Sequence, residues 1–196
     1  MIAGHFGLAA AVKSQERQVP LWALMLGTQW LDVLFIPLFI MGVETIVPAP
    51  GLEPGYGHSV IHADYTHSFV GAVILSVIYG LIFLPSWGRR TAIVLASMSF
   101  SHWILDLIVH RMDLPWLPAN AGNLPRLGFG LWKWPSASAL VELILIVGGA
   151  WLYWRAARAI ASGRGPAPMR RADLAAAVIL VSGLIVLGLD VTGLVG

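Results

Sequence analysis

Five stretches of the chain, about 21–47, 66–87, 91–110, 135–154 and 173–195, are apolar over lengths that match the hydrocarbon layer of a bilayer. A helix rising ~1.5 Å per residue needs roughly 20 apolar residues to cross ~30 Å of hydrocarbon. Water is absent there, and a helix pairs its backbone N–H and C=O groups within one segment. The fold class that follows is all-α: an integral membrane helical bundle of about five transmembrane helices, forming a single domain over 1–196. Only 11% of the residues are charged, against roughly 25% in an ordinary soluble domain. A soluble globule of this composition could not be clothed in polar side chains.

The N-terminal stretch, residues 1–12 (MIAGHFGLAAAV), is apolar but covers only ~18 Å as a helix. It fits a half-membrane or an interfacial helix. Lys13 and Arg17 follow the apolar part, the reverse of a secretory signal peptide, so the segment is expected to be retained. Gly88, Arg89 and Arg90 alone separate the second and third spans, which therefore form an antiparallel hairpin. The basic residues fall near the N-terminus, at 89–90 and at 155–171, where Arg155, Arg158, Arg164, Arg170 and Arg171 cluster. Alternating crossings put all three groups on one side, which the positive-inside rule makes cytoplasmic. The expected location is the cytoplasmic (inner) membrane, with the bilayer as the chief partner and no role for nucleic acid. The loops 48–65 and 111–134 then face outward.

Ionisable residues inside the spans carry the functional argument. A carboxylate at the centre of a span costs at least ~2.5–3.5 kcal/mol, so it needs a partner, a proton or a metal. In SHWILDLIVHRMD, His102, Asp106 and His110 recur every four residues and share one helical face. The alternative for His102 and Asp106 is a buried hydrogen-bonded pair, with His110 at the interface. A second cluster, HSVIHADYTHS, places His58, His62, Asp64, His67 and Ser68 at the start of the second span. The hairpin brings His67 to the level of Asp106 and His110. His58 and His62 also read as loop histidines, whereas His67 and Ser68 lie where a ligand or substrate oxygen could be reached. Counting ~1.5 Å per residue from the basic ends sets Asp32 ~18 Å deep, His102 ~17 Å and Asp106 ~23 Å. A half-membrane N-terminal helix would put His5 ~12 Å up, near the same layer. Glu142, in the outer part of the fourth span, either joins them or pairs with Arg126 or Lys133. Glu44, Glu53 and Asp190, near span ends or in a loop, are read as solvated.

There is no cysteine, which excludes disulfides, thiolate metal sites, a cysteine nucleophile and iron–sulfur clusters. A divalent metal held by imidazole and carboxylate suits zinc, with manganese or iron as alternatives by ligand type. The candidate ligands are His5, Asp32, His62, His67, His102, Asp106 and His110. Asp64 and Glu142 are the candidate general bases for activated water.

These residues also resemble a known family. An N-terminal GHFGLA with its His5, a carboxylate at Asp32, YTHS opening the second span and SHWILD in the third resemble the membrane-bound metal-dependent hydrolases described as LexA-regulated and phospholipase C-like. The resemblance covers most of 1–120 and sets His5, Asp32, His67, His102 and Asp106 on the motif positions. The family's Pro-Asp-x-Asp element is represented by one carboxylate in QWLDVLF, and its Arg-Gly before Thr-His-Ser by Asp64-Tyr65. The activity it implies is metal-dependent hydrolysis, and a polar layer that opens toward the outer leaflet would suit a phosphoester or a lipid head group as substrate. A proton- or cation-coupled transporter would use the same intramembrane His and Asp residues. A purely structural polar layer is the third alternative, and interhelical hydrogen bonds averaging only ~0.6 kcal/mol make it a poor use of so many ionisable groups.

Overall fold

The computed structural model describes residues 2–48 and 59–192; His58 and Glu53 lie outside the described residues. The chain is mainly helical: α1 (Ile2–Gln15), α2 (Leu21–Thr28), α3 (Trp30–Ile40), α4 (Phe69–Val109), α5 (Pro135–Ala161) and α6 (Pro166–Val191). A two-stranded antiparallel ribbon, β1 (Thr45–Pro48) with β2 (Ser59–His62), pairs Thr45 with His62. Three helices, α4, α5 and α6, are long and apolar enough to cross a membrane. At most 28% of the most apolar window of each is buried inside the protein. Their outward faces, with Ile74, Ile82, Ile144 and Ile185 exposed, therefore need an apolar medium to cover them.

The continuous helix α4 is two limbs folded back on each other. Gly88 sits at φ 76°, ψ 172°, a conformation that glycine adopts without the Cβ penalty. Ser76 Oγ donates to Ser99 Oγ at 2.9 Å, although 23 residues of straight helix would separate them by ~35 Å. The hairpin expected from Gly88-Arg89-Arg90 is thus present, with its turn at the glycine.

The segment 21–47 departs from a single span. Its helix stops at Thr28, resumes at Trp30 and bends by 50° there. The bend falls at Gln29 (φ −115°, ψ 4°), not at Pro37, which α3 accommodates internally. Beyond Ile40 the chain turns at Gly42 and becomes strand β1, so the polar end of this segment belongs to the ribbon. Helices α2 and α3 are tied to α4 by Tyr79 Oη donating to Ala23 O (2.7 Å) and Trp30 Nε1 donating to Leu75 O (3.2 Å).

Helix α1 is an interior element, not a peripheral one. Ala3, His5, Ala9 and Ala10 are all buried. It runs parallel to α5 with almost no spacer: a Cβ on Gly7 would strike the Leu145 carbonyl, and one on Gly149 would strike the Gly7 carbonyl. Small residues at such positions let two backbones meet. At ~21 Å, α1 reaches only part of the way through the bundle, and its N-terminal end stops at the polar layer.

The loop 111–134 is pinned across the start of α4. Phe69 N and Val70 N donate to Pro115 O and Trp116 O, and a Leu114–Leu127 bridge closes the loop on itself. Arg126 clamps Asp64 through both guanidinium nitrogens at 2.8 and 3.2 Å and donates a further bond to Asp113 O.

Candidate metal centre

Five side chains from three helices and the turn before α4 converge at one depth. His102 and Asp106 come from the second limb of α4, four residues apart, with Nε2–Oδ2 at 2.9 Å. His67, in the turn that leads into α4, places Nε2 3.2 Å from His102 Nε2 and 3.5 Å from Asp106 Oδ2. Asp32, in the first turn of α3, sets Oδ1 3.4 Å from His67 Nε2 and 3.5 Å from His102 Nε2. His5 reaches in from α1, with Nε2 3.4 Å from Asp106 Oδ1 and its ring stacked on His102 at 4.1 Å. Two overlapping sets, His5 with His102 and Asp106, and Asp32 with His67 and His102, each hold their ligand atoms within 4.8 Å of one another. A buried His/Asp cluster that could hold a metal ion is therefore present.

The protons in this cluster can be placed by elimination. His102 Nδ1 lies 2.6 Å from the Thr28 carbonyl, and a carbonyl only accepts, so Nδ1 carries a proton and, in the neutral ring, Nε2 presents a lone pair to the cluster. The Thr28 carbonyl is free for this because α2 ends there, and the last carbonyls of a helix have no partner within it. On the other side, Glu44 is fully buried and accepts from Tyr65 N and Thr66 N, both at 2.8 Å. The Thr66 hydroxyl lies 2.9 Å from Glu44 Oε2, 3.1 Å from Oε1 and 2.8 Å from His67 Nδ1. Its one proton goes to the carboxylate, so it accepts from His67 Nδ1–H. In the neutral ring, His67 Nε2 then also faces inward as a lone pair. Such outer hydrogen bonds, which fix tautomer and ring orientation, are what metal-binding histidines require.

His5 supplies an independent sign. Its ring is 1% exposed, yet neither ring nitrogen has a hydrogen-bond partner among the described residues. Buried polar atoms are nearly always paired. Taken with two inward lone pairs and two carboxylates, the donor set fits a cation of imidazole and carboxylate preference.

The other candidates are placed elsewhere. His62 ends strand β2 opposite Thr45 and belongs to neither ligand set. His110 turns away from the cluster: Nδ1 pairs with Asp113 Oδ1 at 3.0 Å, and the ring lies against Trp132. The four-residue spacing did not carry it inward, because α4 ends at Val109 and His110 is already extended (ψ 149°). Asp64 is engaged by Arg126 as described above. Glu142 is fully buried and accepts from Gly4 N at 3.0 Å, which holds the first turn of α1, and with it His5, against α5. A carboxylate at that position also complements the helix dipole. Its expected partners Arg126 and Lys133 are not the ones it finds. Ser68 is buried and caps α4, accepting from Gly71 N at 3.1 Å, so it is not open to substrate. Glu44 and Asp190, read as solvated, are both buried.

Glu44, Thr66 and the Thr28 carbonyl were missed as parts of the centre. Thr66 stood inside the YTHS motif, so its place next to His67 was visible. Glu44 gave no local signal, being 22 residues away from Thr66. Comparison of the chain with protein-family models, curated proteins and solved structures returned no match.

Proposed function

We propose that this is a membrane-embedded metal-dependent hydrolase centred on His5, Asp32, His67, His102 and Asp106, acting on a phosphoester or lipid head group. The observation that carries the reading is the convergence itself: three imidazoles and two carboxylates meet in two overlapping sets, with Nε2 of His67 and His102 turned inward by the bonds at their Nδ1 atoms. Zinc suits this donor set best, with manganese and iron as alternatives by ligand type. When bound, the metal would supply Lewis-acid polarisation of the substrate and activation of water.

The chain's own residues do the rest. Thr28 and Thr66 hold the imidazoles of His102 and His67 in the tautomer that points Nε2 inward. Asp32 is the only partly exposed side chain of the five, at 37% against 5% or less for the others. The mouth of the site therefore lies beside α3, flanked by exposed Val33, Ile36 and Phe39, a setting that suits an amphipathic substrate arriving from the lipid. Asp32 is the group placed to take a proton from attacking water at that mouth. Asp64 and Glu142, candidates for the base on sequence grounds, are held as a loop clamp and a helix anchor.

The topology that fits this reading has five crossings: the bent α2–α3 pair, the two limbs of α4, α5 and α6. Helix α1 enters from the cytoplasmic side, and the basic loops lie in the cytoplasm of an inner membrane.

The test is the metal content of detergent-purified protein by elemental mass spectrometry, for wild type, His67→Ala and the paired His102→Ala, Asp106→Ala protein. Near-stoichiometric metal lost in both variants, followed by turnover of phosphoesters or lipids, is the expected result. A protein that stays metal-free after reconstitution with zinc, and that moves protons or cations in liposomes, would transfer the same residues to a transport role.

A further inference from the structure

At the opposite end of α1 from His5, the ends of α1, α5 and α6 enclose a cavity of about 390 Å³. Four cations line it, Lys13, Arg17, Arg164 and Arg171, together with Tyr153 and Ile160, and no carboxylate does. Lys13 is committed inward, its Nζ donating to Arg17 O at 2.7 Å and Val19 O at 2.8 Å, which closes the end of α1. The side chains of Arg17, Arg164 and Arg171 have no ion-pair partner among the described residues. The acids nearest in sequence are occupied elsewhere: Glu16 pairs with Arg90 at 2.9 Å, and Asp173 accepts from Trp154 Nε1 at 2.8 Å and is ion-paired with Arg158, whose Nε lies 3.3 Å away. Three guanidinium groups around an unneutralised cavity form a receptor for an anion with several oxygens, since the planar guanidinium matches phosphate bidentately.

The surroundings say which phosphate. The cavity lies at the tips of α5 and α6, where Arg155 stacks over Trp151 at 5.4 Å and Arg158 over Trp154 at 5.3 Å, aromatic and basic residues of the kind that anchor at the headgroup level. Its wall continues into Ile160, exposed on the apolar flank of α5. We infer that this cavity binds the phosphate head group of an anionic phospholipid of the cytoplasmic leaflet, with the acyl chains lying along α5. The inference rests on the membrane orientation described above, and is independent of whether the centre at His102 holds a metal. Basic pockets between helices on this side of a membrane are suited to such lipids.

The test is titration of the full chain, purified in detergent, with short-chain phosphatidylglycerol, phosphatidylcholine of the same chain length, and inorganic phosphate, read by native mass spectrometry. Phosphatidylglycerol is expected to bind saturably, one per chain. The Arg17→Gln, Arg164→Gln, Arg171→Gln protein is expected to bind it about a hundredfold more weakly, from roughly a fivefold loss for each cation. An Arg89→Gln, Arg111→Gln, Lys133→Gln protein removes the same charge outside the cavity and is expected to bind as wild type. Equal weakening in both variants would reduce the effect to general charge and overturn the site. Phosphatidylcholine binding as tightly would overturn the anionic preference, and inorganic phosphate binding as tightly would overturn the lipid as occupant.

Discussion

The Nε2 atoms of His67 and His102 stand 3.2 Å apart, both turned into the cluster. Each ring has already placed its proton on the far side, His67 on the Thr66 hydroxyl and His102 on the Thr28 carbonyl. Asp106 Oδ2, 2.9 Å from His102 and 3.5 Å from His67, adds negative charge to the same gap. A positive charge in this gap, a proton on one ring or a metal ion, joins the carboxylates to the imidazoles.

Filling the gap should therefore stabilise the fold. Adding zinc to chelator-stripped protein at about a hundred times its dissociation constant is expected to contribute about 2.7 kcal/mol, visible as a rise in the melting temperature. The His102→Ala, Asp106→Ala protein should melt at the same temperature with or without zinc. Metal competes with protons for these ligands, so affinity should fall as the pH is lowered and rise as it is raised. A metal affinity independent of pH between 5 and 8 would contradict the ligand set.

Glu44 should matter to the centre without touching it. Glu44→Gln can still accept from the backbone of Tyr65 and Thr66 but no longer forces the Thr66 proton away from His67. Metal affinity is expected to drop about 10- to 100-fold, as for other outer partners of a metal-binding histidine. Thr66→Val should match that loss and Thr66→Ser should restore most of it, measured by competition with a chelator of known affinity.

Ser68 separates folding from binding, because it is adjacent to His67 but its hydroxyl caps α4 and donates to Tyr65 O at 3.1 Å, and it belongs to neither ligand set. Ser68→Ala is expected to cost about 1 kcal/mol of stability and to leave metal affinity unchanged. A loss of affinity as large as that of His67→Ala would mean that the hydroxyl belongs to the centre.

The packing of α1 against α5 can be tested with two neighbouring glycines. A methyl group at Gly149 would meet the Gly7 carbonyl, whereas one at Gly148 meets nothing within 4 Å. Gly149→Ala should destabilise by about 1–3 kcal/mol and, by pushing α1 outward, withdraw His5 and weaken metal binding. Gly148→Ala should melt as wild type.

The absence of cysteine makes the chain a ready background for mapping sidedness. Ser162→Cys lies exposed between α5 and α6, and Asn123→Cys lies exposed in the loop 111–134. A membrane-impermeant thiol reagent added to right-side-out vesicles is expected to label the second and not the first. The reverse pattern would invert the orientation.

What the sequence could disclose was whatever repeats within a few residues. Apolar runs report length against the bilayer, Gly88-Arg89-Arg90 reports a turn too short for anything but a hairpin, and SHWILD reports a histidine and an aspartate on adjacent helical turns. His110 shows the limit of that kind of reading. Its spacing continued the pattern, but the helix ended one residue earlier and the ring turned to Asp113 and Trp132.

The remainder was decided by tertiary contacts between segments far apart in the chain. Whether α1 lay on the surface or in the interior depended on Gly7 and Gly149 meeting across 142 residues. Whether Glu44 was solvated or buried depended on a turn after Ile40 that sends the chain into a ribbon and returns the carboxylate to Thr66. A helical period determines which side chains share a face, since it follows from the backbone alone. Which faces meet depends on close packing among all of them at once, and so do the single proton positions that make this cluster a receptor for a cation.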